Sequence, residues 1–237
     1  MSDIPLPFLT PIHSRHISSS SIALVSDIAV LFSGDSLGER LVNVAGNVAS
    51  FEGDLTTAGL NSVSTTEAAI SGGNLAETDT TNNDEYWLHT TSSKGDLYVS
   101  ELDSLANKSA YTDMVLALGT NDRVQMPTVF SKAEFITSYN EFLVQLRLDF
   151  PNVKRFHIMP TSRHGSETNV TQWLTLREGI DDVVAQNSDC YVLPEMYDLT
   201  LGDDIHLSDA DEVTYLTRIA NRIAYLTGNS SISVECP

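Results

Sequence analysis

The sequence predicts a three-layer α/β/α domain built on a mainly parallel, five-stranded sheet. Two observations carry that expectation. Short apolar runs alternate with stretches of helical periodicity from residue 28 to about 227, and each intervening stretch is long enough for a crossover between parallel strands. The apolar runs are also nearly continuous, as strands become when helices cover both faces of their sheet.

Residues 28–32 (IAVLF) read as the first buried strand, ending at Ser33-Gly34. Residues 37–48 follow with Leu37, Leu41, Val44, Ala45 and Val48 at helical spacing. A short second strand fits residues 68–70, closed by Ser71-Gly72-Gly73, and residues 97–105 suit a helix. The run MVLAL at 114–118 is the clearest strand. Residues 132–149 form a long amphipathic helix stopped before Pro151. The run FHIM at 156–159, closed by Pro160, makes a fourth strand, and residues 173–185 a helix. Residues 191–193, closed by Pro194, make the fifth strand, and Ser208 is a good N-cap for a last helix to about residue 227. Residues 1–22, with prolines at 5, 7 and 11 and a serine run, read as an irregular N-terminal segment. Residues 23–237 then form one domain.

The 237 residues are enough for a sizeable core. A hydrophobic share of 41% and a charged share of 19% describe a soluble globular chain rather than a disordered one. Thirteen basic residues against thirty-two acidic ones give a net charge of −19, which argues against nucleic acid or an anionic membrane as partner. No apolar run reaches the roughly 18–20 residues of a membrane span. The N-terminus lacks a basic region followed by a continuous apolar stretch, so no secretory signal is visible and the compartment stays open. Cys190 and Cys236 fit one bridge tying down the C-terminus, and fit two free thiols at least as well. The sequons at Asn107, Asn169 and Asn229 are short patterns that recur by chance.

In parallel α/β sheets, ligands bind beyond the carboxyl ends of the strands. Four segments of this sequence fall there. Gly34-Asp35-Ser36-Leu37-Gly38 sets a serine in a tight turn between strand and helix, near N–H groups that can receive a developing oxyanion. Asp35 or Ser36 can equally be a helix cap. Asp203-Asp204-Ile205-His206 places a carboxylate three residues before a histidine, close enough to fix its tautomer; a surface acidic turn is the plainer reading. Gly119-Thr120-Asn121-Asp122 offers an amide donor directly after the best strand, or simply a turn. Ser71-Gly72-Gly73-Asn74 offers a glycine N–H. A metal site lacks a third and fourth ligand, and His157, inside a strand, reads as a core or edge histidine. Arg163 and His164 lie after the fourth strand and are either substrate contacts or an ordinary polar loop.

Together these residues resemble the SGNH hydrolases, also called GDSL esterases and lipases. Gly34-Asp35-Ser36-Leu37 stands for their first motif, Gly119-Thr120-Asn121-Asp122 for the third, and Asp203-Asp204-Ile205-His206 for the last. The resemblance implies a flavodoxin-like sheet, a Ser36–His206–Asp203 triad, and an oxyanion hole from the Ser36 N–H, a glycine N–H and the Asn121 side chain. Asp35 and Asp122 become the residues that orient these loops. Gly59, Gly72 and Gly73 compete for the glycine. Gly72 is preferred because the 69–74 segment followed by Trp87 looks like the sialate O-acetylesterase and acetylxylan esterase branch. Gly34-Asp35-Ser36-Leu37-Gly38 also satisfies the Gly-x-Ser-x-Gly elbow of α/β-hydrolases, but that fold needs several strands before its elbow and only one fits here.

The resemblance thus implies a serine hydrolase of carboxylic esters needing neither metal nor organic cofactor. The expected partner is a small-molecule or glycan ester, with short or O-acetyl groups favoured because no long apolar lid segment is evident. A lipid or thioester hydrolase, or a carbohydrate-binding module without turnover, are the alternatives. The oligomeric state stays open.

Overall fold

The computed structural model describes residues 27–77, 86–89, 93–126, 130–161, 170–203 and 205–228. The segment 1–22, Cys236, Arg163, His164 and the sequons at Asn169 and Asn229 lie outside the described residues.

The strands are β1 (Ala29–Gly34), β2 (Ser64–Ala69), β3 (Asn74–Ala76), β4 (Tyr86–Leu88), β5 (Asp113–Ala117), β6 (Arg155–Ile158) and β7 (Cys190–Val192). Five of them form one sheet in the order β2-β1-β5-β6-β7, with every neighbouring pair parallel. Numbered within that sheet, the order is 2-1-3-4-5, the flavodoxin-like arrangement. The helices are α1 (Ser36–Asn43), α2 (Asn47–Thr57), α3 (Lys132–Asp149), α4 (Val170–Gln186) and α5 (Asp209–Leu226).

Strand alternation divides the interior into two cores. Leu31, Met114, Leu116, Phe156 and Ile158 face Phe135, Tyr139 and Phe142 of α3 and Leu176 and Ile180 of α4. Val30, Phe32, Val115 and Ala117 face Leu41 of α1, Phe51 of α2 and Tyr215, Ile219 and Ile223 of α5. Each large side chain so buried contributes about 1.5–3 kcal/mol of transfer free energy, which is why the strands are apolar on both faces. The expected three-layer sandwich is the observed one.

Strand and helix boundaries differ from expectation mostly by one to three residues, and β2 begins four residues before the 68–70 run because its first four residues, Ser64-Thr65-Thr66-Glu67, are exposed or only partly buried. The 37–48 helix is two helices. The chain breaks at Val44 and turns at Gly46, whose φ is +92°, before α2 starts. The 97–105 helix is a π-helical turn, Tyr98–Leu102, clamped at its end by Lys94, which pairs with Asp103 and Asp149. The paired β3 and β4 were not expected from the sequence. Three residues each are too short to show a period, and Trp87 of β4 is fully buried against Phe142.

His157 is a core histidine, as anticipated. It is fully buried with Nε2 2.9 Å from Asp113 Oδ1, and Asp113 also holds Arg155 through both carboxylate oxygens. Burial pushes the His157 imidazole below its ordinary range. Burial works against the Asp113 charge too, but the hydrogen bonds from His157 and Arg155 win and bring it down to about 2. This network ties the amino ends of β5 and β6, opposite the site described below. Among the described residues, no helix is long and apolar enough to cross a membrane.

Two glycines should respond in opposite directions to alanine. At Gly34, φ is +132° and a Cβ would lie 2.0 Å from the Ala117 carbonyl oxygen. Gly34→Ala should cost more than about 3 kcal/mol in chemical denaturation. Gly53, inside α2, would place its Cβ in open space. Gly53→Ala should gain about 0.5–1 kcal/mol.

Candidate active site

The site starts at the end of β1. Because Gly34 has no side chain, the next peptide can approach β5, and the Asp35 N–H donates to the Ala117 carbonyl at 2.7 Å. Asp35 then caps α1, its Oδ1 accepting from the Leu37 N–H at 2.9 Å. The two readings of this turn are thereby divided between two residues. The aspartate caps, and Ser36, the first residue of the helix, keeps its hydroxyl for other use.

That hydroxyl meets His206. Ser36 Oγ lies 2.8 Å from His206 Nε2, and His206 Nδ1 lies 2.8 Å from Asp203 Oδ2. The second carboxylate oxygen of Asp203 accepts from the backbone N–H groups of Ile205 and His206, each at 2.7 Å. Those two bonds, with the imidazole contact, hold the Asp203 carboxyl well below the usual carboxylate range, the His206 N–H having the largest effect. An ionised carboxylate only accepts, so Nδ1 carries the proton and Nε2 is left to accept from the serine. The loop is closed by a bridge between Leu201 and Leu207 and by the Gly202 N–H donating to the His206 carbonyl at 2.8 Å. Leu207 is buried in the core against α5 and anchors it.

Asn121 follows β5. Its amide donates to the Gly73 carbonyl at 3.0 Å, which uses one of its two N–H bonds. Asp122, buried, accepts from the N–H groups of Leu75 and Ala76 and so holds β3 against the same turn. The Ile70 N–H donates to the Gly34 carbonyl at 2.9 Å. A continuous run of bonds therefore joins the serine turn, the 70–76 segment and the Asn121 turn.

The three candidate glycines separate on position. Gly59 lies in the α2–β2 connection, at the amino end of the strands and away from Ser36. Gly73 donates its N–H to the Ile70 carbonyl. Gly72, with φ of +84°, lies beyond the carboxyl end of β2.

Two residues of this site escaped sequence reading. Arg40, one turn after Ser36, donates through Nε to Glu212 of α5 at 2.8 Å, pairs with Asp209 at 3.4 Å, and reaches within 4.0 Å of Asp203. Glu212 is buried and also receives the Asn47 amide at 3.4 Å. Arg40 thus ties α1 to both ends of the His206 loop. The i,i+4 spacing from Ser36 was its only sequence signal. Met159, Met196, Leu37 and Leu41 surround a void of about 10 Å³ beside His206, an apolar backing for the ring.

No protein-family model and no curated protein matches the sequence. Solved structures do. An acetyl xylan esterase, AlAXEase, matches at 18% identity over 83% of this chain and 100% of its own, with a TM-score of 0.59. The carbohydrate acetylesterase Est24 from Sinorhizobium meliloti matches at 16% identity over 84% and 100%, with a TM-score of 0.58. The psychrotrophic esterase EstA from Pseudoalteromonas sp., in a structure inhibited by monoethylphosphonate, matches at 13% over 85% and 100%, with a TM-score of 0.60. The chain has the fold of these esterases. At such identities the likeness is one of fold, and it agrees with the sandwich that the SGNH motifs implied.

The buried Asp35 gives a pH test of this architecture. Burial pushes its carboxyl up to about 7, the Leu37 N–H opposes, and the neighbouring Asp122 adds to the rise. A carboxyl raised on folding contributes stability at acid pH that is lost as pH climbs through about 7. Asparagine caps a helix as well as aspartate. Relative to the parent, Asp35→Asn should therefore gain stability between pH 5 and pH 8, by an amount on the order of a few kcal/mol. Urea denaturation at the two pH values reads it directly.

Proposed function

We propose that the chain is a serine esterase that cleaves carboxylic esters through an acyl-enzyme on Ser36. The observation that carries this reading is the unbroken chain of contacts Asp203–His206–Ser36, 2.8 Å at each step. In the reaction, Ser36 Oγ attacks the ester carbonyl while His206 Nε2 takes the hydroxyl proton. Asp203 stabilises the imidazolium. The carbonyl oxygen becomes an oxyanion held by the Ser36 N–H, the Gly72 N–H and the Asn121 amide, whose second N–H is not needed by Gly73. The C–O bond to the alcohol then breaks, and His206 returns its proton to the leaving oxygen. Water repeats the sequence, with His206 as base, and releases the acid and free Ser36.

The substrate proposed is a short acyl ester, an O-acetyl group on carbohydrate. It is supported by the names of two fold neighbours, an acetyl xylan esterase and a carbohydrate acetylesterase. An acyl-length series is the test. The rate on 4-nitrophenyl esters should fall steeply from acetate to octanoate. A rise toward octanoate would favour a lipid or thioester hydrolase.

Ser36→Ala should lower turnover of 4-nitrophenyl acetate by more than about a thousandfold with an unchanged unfolding curve. A fluorophosphonate should label the parent at Ser36 and fail to label this variant; a non-catalytic binding module would leave both unlabelled. The rate should decline in acid, because the reaction needs a free base at His206 Nε2 to take the Ser36 proton. Arg40→Met should reduce kcat and also destabilise the fold by about 1–3 kcal/mol, since it takes the half-exposed cation from the buried Glu212.

A further inference from the structure

The carboxyl edge of the sheet carries a second concave feature on its β7 side. A groove of about 320 Å³ is lined by Pro160 after β6, by Leu174, Arg177 and Asp181 of α4, and by Glu195 and Tyr197 after β7. The volume falls within the range of small-molecule pockets. Tyr197 is 54% exposed and Leu174 53%, an unusual display for two large side chains in one groove.

The segment that carries Tyr197 is anchored from both sides of the sheet. Arg177 of α4 pairs with the Glu195 carboxylate and lays its guanidinium over the Tyr197 ring, 4.2 Å from the centroid. Arg218 of α5 donates to the Glu195 carbonyl at 3.0 Å and grips the Asp198 carboxylate with both nitrogens. Met196, between them, is buried in the core against α5. One ring face is therefore occupied and the rest is held out to solvent. A ligand stacking on it meets a surface already ordered, so little entropy is lost on binding.

The chemistry of the lining selects the ligand. An aromatic face with Leu174 and Pro160 beside it suits the apolar C–H face of a sugar ring, and the rim of Arg177, Glu195 and Asp181 suits its hydroxyls. An anion is disfavoured because Arg177 is already paired and Glu178 and Asp181 add negative charge. An acyl chain is disfavoured because it would desolvate that charged rim.

Position sets which sugar. Ser36 follows β1 and Tyr197 follows β7, three strands away across β5 and β6. At about 4.8 Å per strand the separation is roughly 14 Å, too far for the ring that bears the ester. The two sites are joined through Met196, which also borders the void beside His206.

We propose that this groove is a distal glycan subsite that takes a neutral pyranose ring a few units from the esterified one. The proposal rests on the esterase reading above, and the experiment separates the two. Steady-state kinetics are measured on O-acetylated xylo-oligosaccharides from the monosaccharide to the pentasaccharide, with 4-nitrophenyl acetate as the short control. For the parent, kcat/KM should rise about tenfold once the chain spans the gap, through KM. Tyr197→Ala should erase that rise while leaving kcat and the 4-nitrophenyl acetate rate intact, and Tyr197→Trp should keep it. Leu174→Glu, at an exposed helix position, should erase it too, and replaces Tyr197→Ala if that variant fails to fold. A parent with no dependence on chain length, or variants that retain the rise, overturn the subsite. If the parent hydrolyses neither 4-nitrophenyl acetate nor the acetylated sugars, the esterase reading falls. The groove is then judged by calorimetry with unesterified xylopentaose: binding lost in Tyr197→Ala supports it, and absent or Tyr197-independent binding overturns it.

Discussion

The contact on which this site depends is the approach of the Gly34-Asp35 peptide to the Ala117 carbonyl. It requires a residue without a Cβ at a positive φ, and it draws the end of β1 against the end of β5 at the point where the strand order reverses. Once it is made, the geometry that follows is local. Asp35 falls at the N-cap of α1, Ser36 becomes the first residue of the helix, and the Gly34 carbonyl is left to accept the Ile70 N–H. One backbone contact thus sets the serine turn against both neighbouring strands.

Asp35 and Asp122 show the cost of holding such loops without covalent links. Both are buried carboxyls that accept backbone N–H groups, and burial raises both, Asp35 to about 7 and Asp122 to about 6. Asp122 accepts two amides at once, which a neutral side chain of that size does less well. The chain keeps two uncomfortable acids at the site because each organises a turn: Asp35 the first turn of α1, Asp122 the start of β3.

Much of this was legible in the sequence because it is written in short spacings. MVLAL, FHIM and IAVLF announce buried strands, Ser208 caps the helix it precedes, and Asp203 and His206 stand three residues apart. What could not be read is equally specific. The Val44–Gly46 break hides inside a spacing that suits one long helix. β3 and β4 are too short for a period. Arg40 and Glu212 are 172 residues apart, and nothing local in either announces the other. Gly59 parts from Gly72 and Gly73 only once the strand ends are known, and Gly72 parts from Gly73 only through the bond that the Gly73 N–H makes to Ile70.

Asp203 and His206 sit on one short loop, held together by a side-chain bond and by two backbone N–H groups that donate to Asp203. Of the two distances that define the Asp203–His206–Ser36 relay, one is internal to that loop. Only the gap from His206 to Ser36, spanning 170 residues of chain, reports on the tertiary fold. Arg40 of α1, paired with Glu212 and Asp209 of α5 and within 4.0 Å of Asp203, lies across that gap. Displacement of α5 relative to α1 would lengthen the His206–Ser36 contact and leave the Asp203–His206 bond as it is.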